Sequence, residues 1–501
     1  MTHVSLEIAV KNAFCRGAII CLAMIVCSSW VVGQSPPADE LGNHDWLVGS
    51  KIEEGPVGEI EPAVENSLFS SKDHSRLNNG VLASQGVSLN EVTSELFAGA
   101  KVGYDEGFLI GTSQAMNLET DNLPFQMKVN GWGQLRLTNF ESSNSAINDQ
   151  KQFQLKRARV IFSGSAFTED FSYLFQLDGR SSSGDNMRLL DYLLTYDLGH
   201  HRLGLETGKI GFKTGKYKMP FHMARQLSTR EIEFTDRSMA STFFDVNRSL
   251  AWGLYGRIDR TRVPVHWEAA IFNGLVTGGA ETGSSGQLDN NFAYSTRLFW
   301  FPTGDWGTGE LADFEGHCRL ATRVGVGFAN STVDELGETE FGSVRVVDSG
   351  GKLANQLAAP NFSSEYTVSL YSIDASMKYA GWSMTCEYYF RQIGDFQPAA
   401  VPALNLFDHG HWLQVGKFIV PNELEVLTRW SRVSGDSGTL GAGNQSAEEI
   451  SAGFAWYIRD QHAKFTVDTT YLDGAPISSQ ALGIDPGYAG WLIRTQIQFA
   501  F

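Results

Sequence analysis

Trp491-Leu492-Ile493-Arg494-Thr495-Gln496-Ile497-Gln498-Phe499-Ala500-Phe501 ends the chain. Side chains of an extended strand alternate between two faces. Trp491, Ile493, Thr495, Ile497, Phe499 and Phe501 therefore share one face, and Leu492, Arg494, Gln496, Gln498 and Ala500 share the other. An apolar face backed by arginine and glutamine suits a strand with lipid on one side and a watery lumen on the other.

The same alternation runs upstream. Met127, Val129, Leu135 and Leu137 oppose Lys128, Asn130, Gln134 and Arg136, and Trp382, Met384, Cys386, Tyr388 and Phe390 oppose Ser383, Thr385, Glu387, Tyr389 and Arg391. Read throughout, the pattern predicts strands over 127–138, 153–165, 171–179, 188–198, 202–213, 250–258, 263–272 and 291–301. It adds 318–329, 365–378, 382–392, 411–419, 424–433, 449–459, 463–472 and 491–501, sixteen in all. An even count returns both ends of a single-chain barrel to the periplasmic side. The connections alternate in length: 166–170, 199–201, 259–262, 379–381, 420–423 and 460–462 are tight, and 302–317 is the one long member of that set. The intervening connections are long, reaching 214–249. Short periplasmic turns and long outer loops are the habit of all-β, transmembrane antiparallel barrels, whereas a soluble sandwich has no reason to sort its loops by end.

Ahead of the barrel, Lys11 and Arg16 precede an apolar stretch from Ala18 to Val32, then Gly33 and the polar Gln34-Ser35-Pro36-Pro37. This reads as a secretory signal peptide over 1–33, too short for a span. Residues 34–100 carry eleven acidic and three basic residues without sustained periodicity, and read as an acidic, partly disordered periplasmic linker before a barrel domain over 101–501. Gly103 to Ile110 reads as a short strand leading into the barrel. Removal of the signal leaves Cys318 and Cys386, both expected on outward faces, and no disulfide framework. Mean hydropathy of -0.17 and the lack of a long apolar run after residue 33 exclude a helical-bundle membrane protein, so only a barrel could cross a bilayer here.

A net charge of -17 argues against nucleic acid as a partner. That charge is uneven. From Lys151 to Arg262 eighteen Lys plus Arg stand against twelve Asp plus Glu, a local net of +6. Arg157 and Arg159 alternate with Ala158, Val160 and Phe162 and are expected to face the lumen, as are Lys128 and Arg136 on the first strand and Arg319 and Arg323 on the ninth. Lys216, Lys218, Arg225 and Arg237 lie in the longest outer connection, the third. Such residues replace part of a small anion's hydration with charge-assisted hydrogen bonds. The competing reading is that they solvate the lumen and pair with Glu231, Glu233, Asp236 and Asp245 nearby. Trp132, Tyr192, Tyr196, Trp252, Trp267, Tyr294, Trp300, Trp382, Trp430, Trp456 and Trp491 are expected as interfacial girdles.

Gly131-Trp132-Gly133-Gln134-Leu135-Arg136, Leu155-Lys156-Arg157-Ala158-Arg159-Val160, Gly215-Lys216-Tyr217-Lys218-Met219-Pro220-Phe221, Asp236-Arg237-Ser238-Met239-Ala240 and Phe272-Asn273-Gly274 follow in order. They resemble the phosphate-selective porin O and P family, over about residues 103 to 501 and more closely in the first half. The resemblance implies an outer-membrane porin, a third loop folded into the lumen, a homotrimer, and phosphate or polyphosphate as solute. It does not settle the solute, since the family has members not known to prefer phosphate and this chain is acidic overall. The functional expectation is passive diffusion of small solutes with an anion preference; the alternative is a general or carbohydrate-passing porin.

Enzymatic readings find little support. His200-His201 falls in a predicted turn, no metal-ligand spacing or phosphate loop occurs, and no catalytic residue, metal or cofactor is expected. A structural tether using the acidic segment is a further class. Trp491, Ile497, Phe499 and the terminal Phe501 resemble the signal by which barrel-assembly machinery recognises its substrates for insertion into the bilayer.

Overall fold

The structure is a computed structural model that describes residues 100–104, 107–112, 125–179, 187–259, 263–278, 290–334, 340–357, 363–398, 405–441, 443, 445–474 and 487–501. The signal peptide and almost all of the linker lie outside the described residues. A short hairpin, β1 (Ala100–Tyr104) and β2 (Phe108–Thr112), precedes the barrel. The barrel runs β3 (Phe125–Ser142), β4 (Gln150–Ala166), β5 (Thr168–Gly179), β6 (Met187–Tyr196), β7 (Ile210–Lys218), β8 (Arg248–Ile258), β9 (Val265–Asn273) and β10 (Phe292–Thr303). It continues with β11 (Ala321–Val333), β12 (Glu365–Tyr379), β13 (Trp382–Gln397), β14 (Asn405–Val420), β15 (Leu424–Gly435), β16 (Gln445–Arg459), β17 (Ala463–Asp473) and β18 (Gly490–Ala500).

Every barrel strand pairs antiparallel with its chain neighbour, and β18 pairs with β3 from Gly490↔Ser142 to Ala500↔Trp132. The sheet closes as a sixteen-strand antiparallel barrel. The expected alternation is visible in exposure: Trp491, Ile493, Ile497 and Phe499 are exposed, while Arg494, Gln496 and Gln498 are buried in the lumen. Trp252, Trp382, Trp430 and Trp456 likewise face outward and exposed.

Three expectations need correction. The turn expected at 199–201 is a longer connection, because Asp197 accepts a hydrogen bond from the His200 N–H and caps a helical turn, Leu198–Leu203, which Gly204 ends at φ 63°. The fifth barrel strand therefore starts at Ile210 and not at 202. Cys318 and Arg319, expected on a strand, lie in the turn before β11 and are exposed; Cys386 is on the outward face of β13, and neither cysteine forms a disulfide.

The segment expected as one strand at 103–110 is instead the hairpin, and β2 continues along the edge of β3 where β18 stops. Phe501 exchanges backbone hydrogen bonds with Gly131 at 3.0 and 3.2 Å, and Phe108 pairs in register with Val129 just below. The Phe108 and Phe501 rings lie 6.3 Å apart. An edge that would otherwise be open is thus covered.

A barrel of this size encloses more space than wall side chains can fill. Here connecting segments occupy it. Met219, Phe221, Met223, Leu227, Phe243 and Phe244 of the third outer loop form one apolar core with Phe341, Val344, Val346 and Val347 of the loop after β11 and with wall residues Tyr389, Trp412, Val433 and Leu492.

Candidate functional site

The third outer loop, 219–247, folds into the lumen and is fastened along the wall from β10 round to β18, with Asp236 reaching the outer half of β3 and β4. Phe221 offers its carbonyl to Arg297 of β10 and Ser372 of β12, each at 3.2 Å. Gly327 of β11 lies under that crossing, and a Cβ there would meet the Phe221 oxygen at 1.8 Å, so only glycine lets the backbones approach. The loop's two short helices, Met223–Gln226 and Met239–Phe243, present their first N–H groups to wall carboxylates. Met223 and Ala224 donate to Glu387 of β13, at 2.8 and 3.2 Å; Met239 donates to Glu449 of β16 at 2.6 Å. Unpaired helix N-termini are good donors to anions, and the bonds are charge-assisted. Ala240 donates to Ser431 of β15, and Thr235 to Asp468 of β17 at 3.0 Å. Lys464 of β17 and Gln498 of β18 hold the carbonyl of Arg230 at 3.0 Å each.

The lumenal residues under this loop, among them Glu387, Arg429, Ser431, Asp468 and Arg494, are buried. Those across from it on β4 and β5, Ile161, Ser163, Ser172 and Leu174, are half-buried. The less covered lumenal surface therefore lies on β4 and β5, within the stretch 151–262 that carries the basic excess.

A register shift in β4 opposite Gln134 and Leu135 inserts an extra residue, so that Lys156 joins Arg157 and Arg159 on the lumenal side. Asp236 of the loop gathers three cations: Arg136 of β3 at 2.5 Å, Arg157 at 2.8 Å and Lys156 at 3.6 Å. Arg159 lies 3.3 Å from Asp178 of β5 and 4.7 Å from the Trp132 ring centroid. Trp132 is thus lumenal and buried, not the girdle residue expected from sequence. Arg188 of β6 shares Asp178 at 3.1 Å, and Arg248 of β8 makes a two-point contact with Asp191 of β6, at 2.7 and 3.1 Å.

The loop contributes Arg237, which donates to the carbonyls of Ala224 and Leu227 at 2.7 Å each, and Lys218 at its base donates to those of Gln226 and Leu227 at 3.0 Å each. Neither contact neutralises charge. Burial, and next the guanidiniums of Arg225, Arg157, Arg248 and Arg159, push the Arg237 pKa well below its ordinary value. Lys156, Arg157, Arg159, Arg188, Lys218, Arg237 and Arg248 thus face three carboxylates, Asp178, Asp191 and Asp236.

The other predicted residues separate from this group. Arg225 is buried in a two-point pair with Asp245, which His222 also approaches at 3.2 Å. Lys216 is buried opposite Tyr192 and Leu250 in register, on the face of β7 away from Lys213 and Tyr217. Lys128 stands opposite Ser163 near the periplasmic end of β3. Sequence reading missed Lys156, Arg188 and Arg248 as members of the group.

No protein-family model matches the chain, and no curated protein does. Among solved structures it is similar to an anion-selective porin from Comamonas acidovorans, 10% identical, over 75% of this chain and 99% of that one, with a TM-score of 0.48. It is similar to the outer-membrane channel DcaP of Acinetobacter baumannii, 9% identical, over 75% and 97%, TM-score 0.46. It is also similar to OprB of Pseudomonas putida, 12% identical, over 75% and 94%, TM-score 0.45. The barrel rests on its own closed strand pairing; what those proteins conduct is a property of those proteins.

Proposed function

We propose that this chain is an outer-membrane porin through which small solutes diffuse, with a preference for anions. The carrying observation is the placement of the loop 219–247 against β10–β18, which leaves the half-buried lumenal surface of β4 and β5 beside the passage, with seven cations around it contributed by β4, β6, the end of β7, the loop and the start of β8. Charge close to the narrow passage governs selectivity, because low-dielectric walls focus its field while outer-loop charge is screened beyond about 8 Å at physiological salt. The local excess therefore outweighs the chain's net charge of -17. Phosphate or polyphosphate as the favoured solute rests on the family resemblance, and so does trimeric assembly; export by residues 1–33 rests on the signal-peptide pattern, and insertion by the barrel-assembly machinery on Trp491, Ile497, Phe499 and Phe501.

A second reading, a general or carbohydrate-passing porin, draws support from the ion pairs at Arg157, Arg159 and Arg248, which spend wall charge on structure. Reversal potential under a salt gradient separates the two readings. The wild type is expected to favour anions, and Arg159→Glu with Arg237→Glu to lose or invert that preference. A cation-selective wild type, or an unchanged double variant, rejects the anion reading.

A further inference from the structure

The connection 304–320, between β10 and β11, enters the lumen from the side of the short turns. Trp306, Leu311, Ala312 and Asp313 are buried. Lys378, lumenal on β12, donates to the carbonyls of Trp306, Thr308 and Gly309 at 3.1, 3.2 and 2.6 Å and stands 4.5 Å from the Trp306 ring centroid. Asp313 accepts from the Gly381 N–H at 2.7 Å. Further along, the Phe314 ring packs on Phe418 of β14 and Tyr457 of β16, at centroid distances of 5.3 and 4.8 Å. The connection is thus a chord from β11 to β16. Above it, Leu311 lines a small cavity with Leu227, Ile232 and Trp412, and Ala312 joins Phe234 in an apolar cluster, so the chord supports the constricting loop from below.

Glu310 projects from this chord. Its carboxylate lies 3.5 Å from Arg323 of β11, and the side chain stays 12% exposed. The other charged groups acting on it are Glu231 of the loop, Lys378 of β12 and Lys218 of β7. Of these, Lys218 is one of the cations that flank the passage, so one carboxylate acts against that group from the periplasmic side.

We infer that residues 304–320 are a second constriction element acting from the periplasmic mouth, and that Glu310 is a selectivity-determining residue that opposes the basic wall. The sign of its effect rests on the anion-preferring reading; its narrowing of the lumen does not. Burial raises the Glu310 pKa to about 7, with Arg323 opposing and Glu231 adding. The carboxylate is charged above that value and neutral below it. Anion preference accordingly rises as pH falls through neutrality.

The test uses the full chain in planar bilayers, across about two pH units either side of neutrality. Glu310→Gln should show the wild type's low-pH selectivity at every pH, and replacing residues 306–315 by a short Gly-Ser turn should raise conductance about twofold or more. A Glu310→Gln channel with wild-type selectivity and wild-type pH response overturns the role of Glu310. A shortened turn with wild-type conductance overturns the second constriction. If the wild type conducts but prefers cations, the anion reading fails, and the shortened turn's conductance still decides the constriction.

Discussion

Asp236 sets how much positive charge the passage presents, since its two oxygens hold Arg136 and Arg157 and stand near Lys156. Removing one member of a buried ion-pair set costs about 3–5 kcal/mol, because the remaining charges stay buried without compensation. Asp236→Asn should therefore lower the temperature at which the barrel unfolds in a heat-mobility gel and shift reversal potential further toward anions. An unchanged unfolding temperature would show that Asp236 is not an anchor. Sequence made part of this group legible. Arg157 and Arg159 follow from alternation with Ala158 and Val160, whereas Lys156 was hidden by a bulge that period-two reading cannot register. Trp132 was misread because an arginine stacked over a lumenal ring leaves no trace in the chain's own periodicity. The roles of Arg225 and Arg237 were open because loop residues have no periodic face, and only the fold chooses their partners.

At the scale of elements, the third loop is held chiefly by wall carboxylates at helix N-termini, with Glu387 and Glu449 as the fixed points. A neutral amide is a weaker acceptor for those N–H groups than a carboxylate. Glu387→Gln combined with Glu449→Gln should loosen the loop, seen as larger current noise and a conductance change of about twofold in single-channel recordings. Quiet channels of wild-type conductance would place the anchoring elsewhere. All sixteen barrel strands were readable because each has one wet and one apolar face, and the third loop's inward fold was expected from family resemblance. The helical turn after β6 was missed although Asp197 and Gly204 stand at its two ends; the strand pattern read through them. The hairpin β1–β2 was read as one strand, and the unusual length of the connection after β10 was legible but its inward course was not, because their partners, the edge of β3 and Lys378, are remote in sequence.

For the whole molecule, closure depends on the last strand meeting the first. Phe501 completes that seam on Gly131, and its ring abuts Phe108 of the hairpin. Phe501→Ala should reduce the amount of inserted, heat-modifiable protein; normal surface levels would count against it. The closed barrel was legible from the chain, but the one-sided filling of its lumen was not, since it arises from loop-to-wall contacts between distant segments such as Phe221 and Gly327. That asymmetry carries the functional account. It is tested most directly by cysteine accessibility in open channels on a Cys318→Ser background. Ser163→Cys on the half-buried β4 wall should react quickly with a small charged thiol reagent, and its conductance should fall. Ser431→Cys on β15, where the native hydroxyl accepts from the Ala240 N–H beneath the loop, should stay unreactive. Rapid block at Ser431→Cys with protection at Ser163→Cys would contradict a passage along the basic wall.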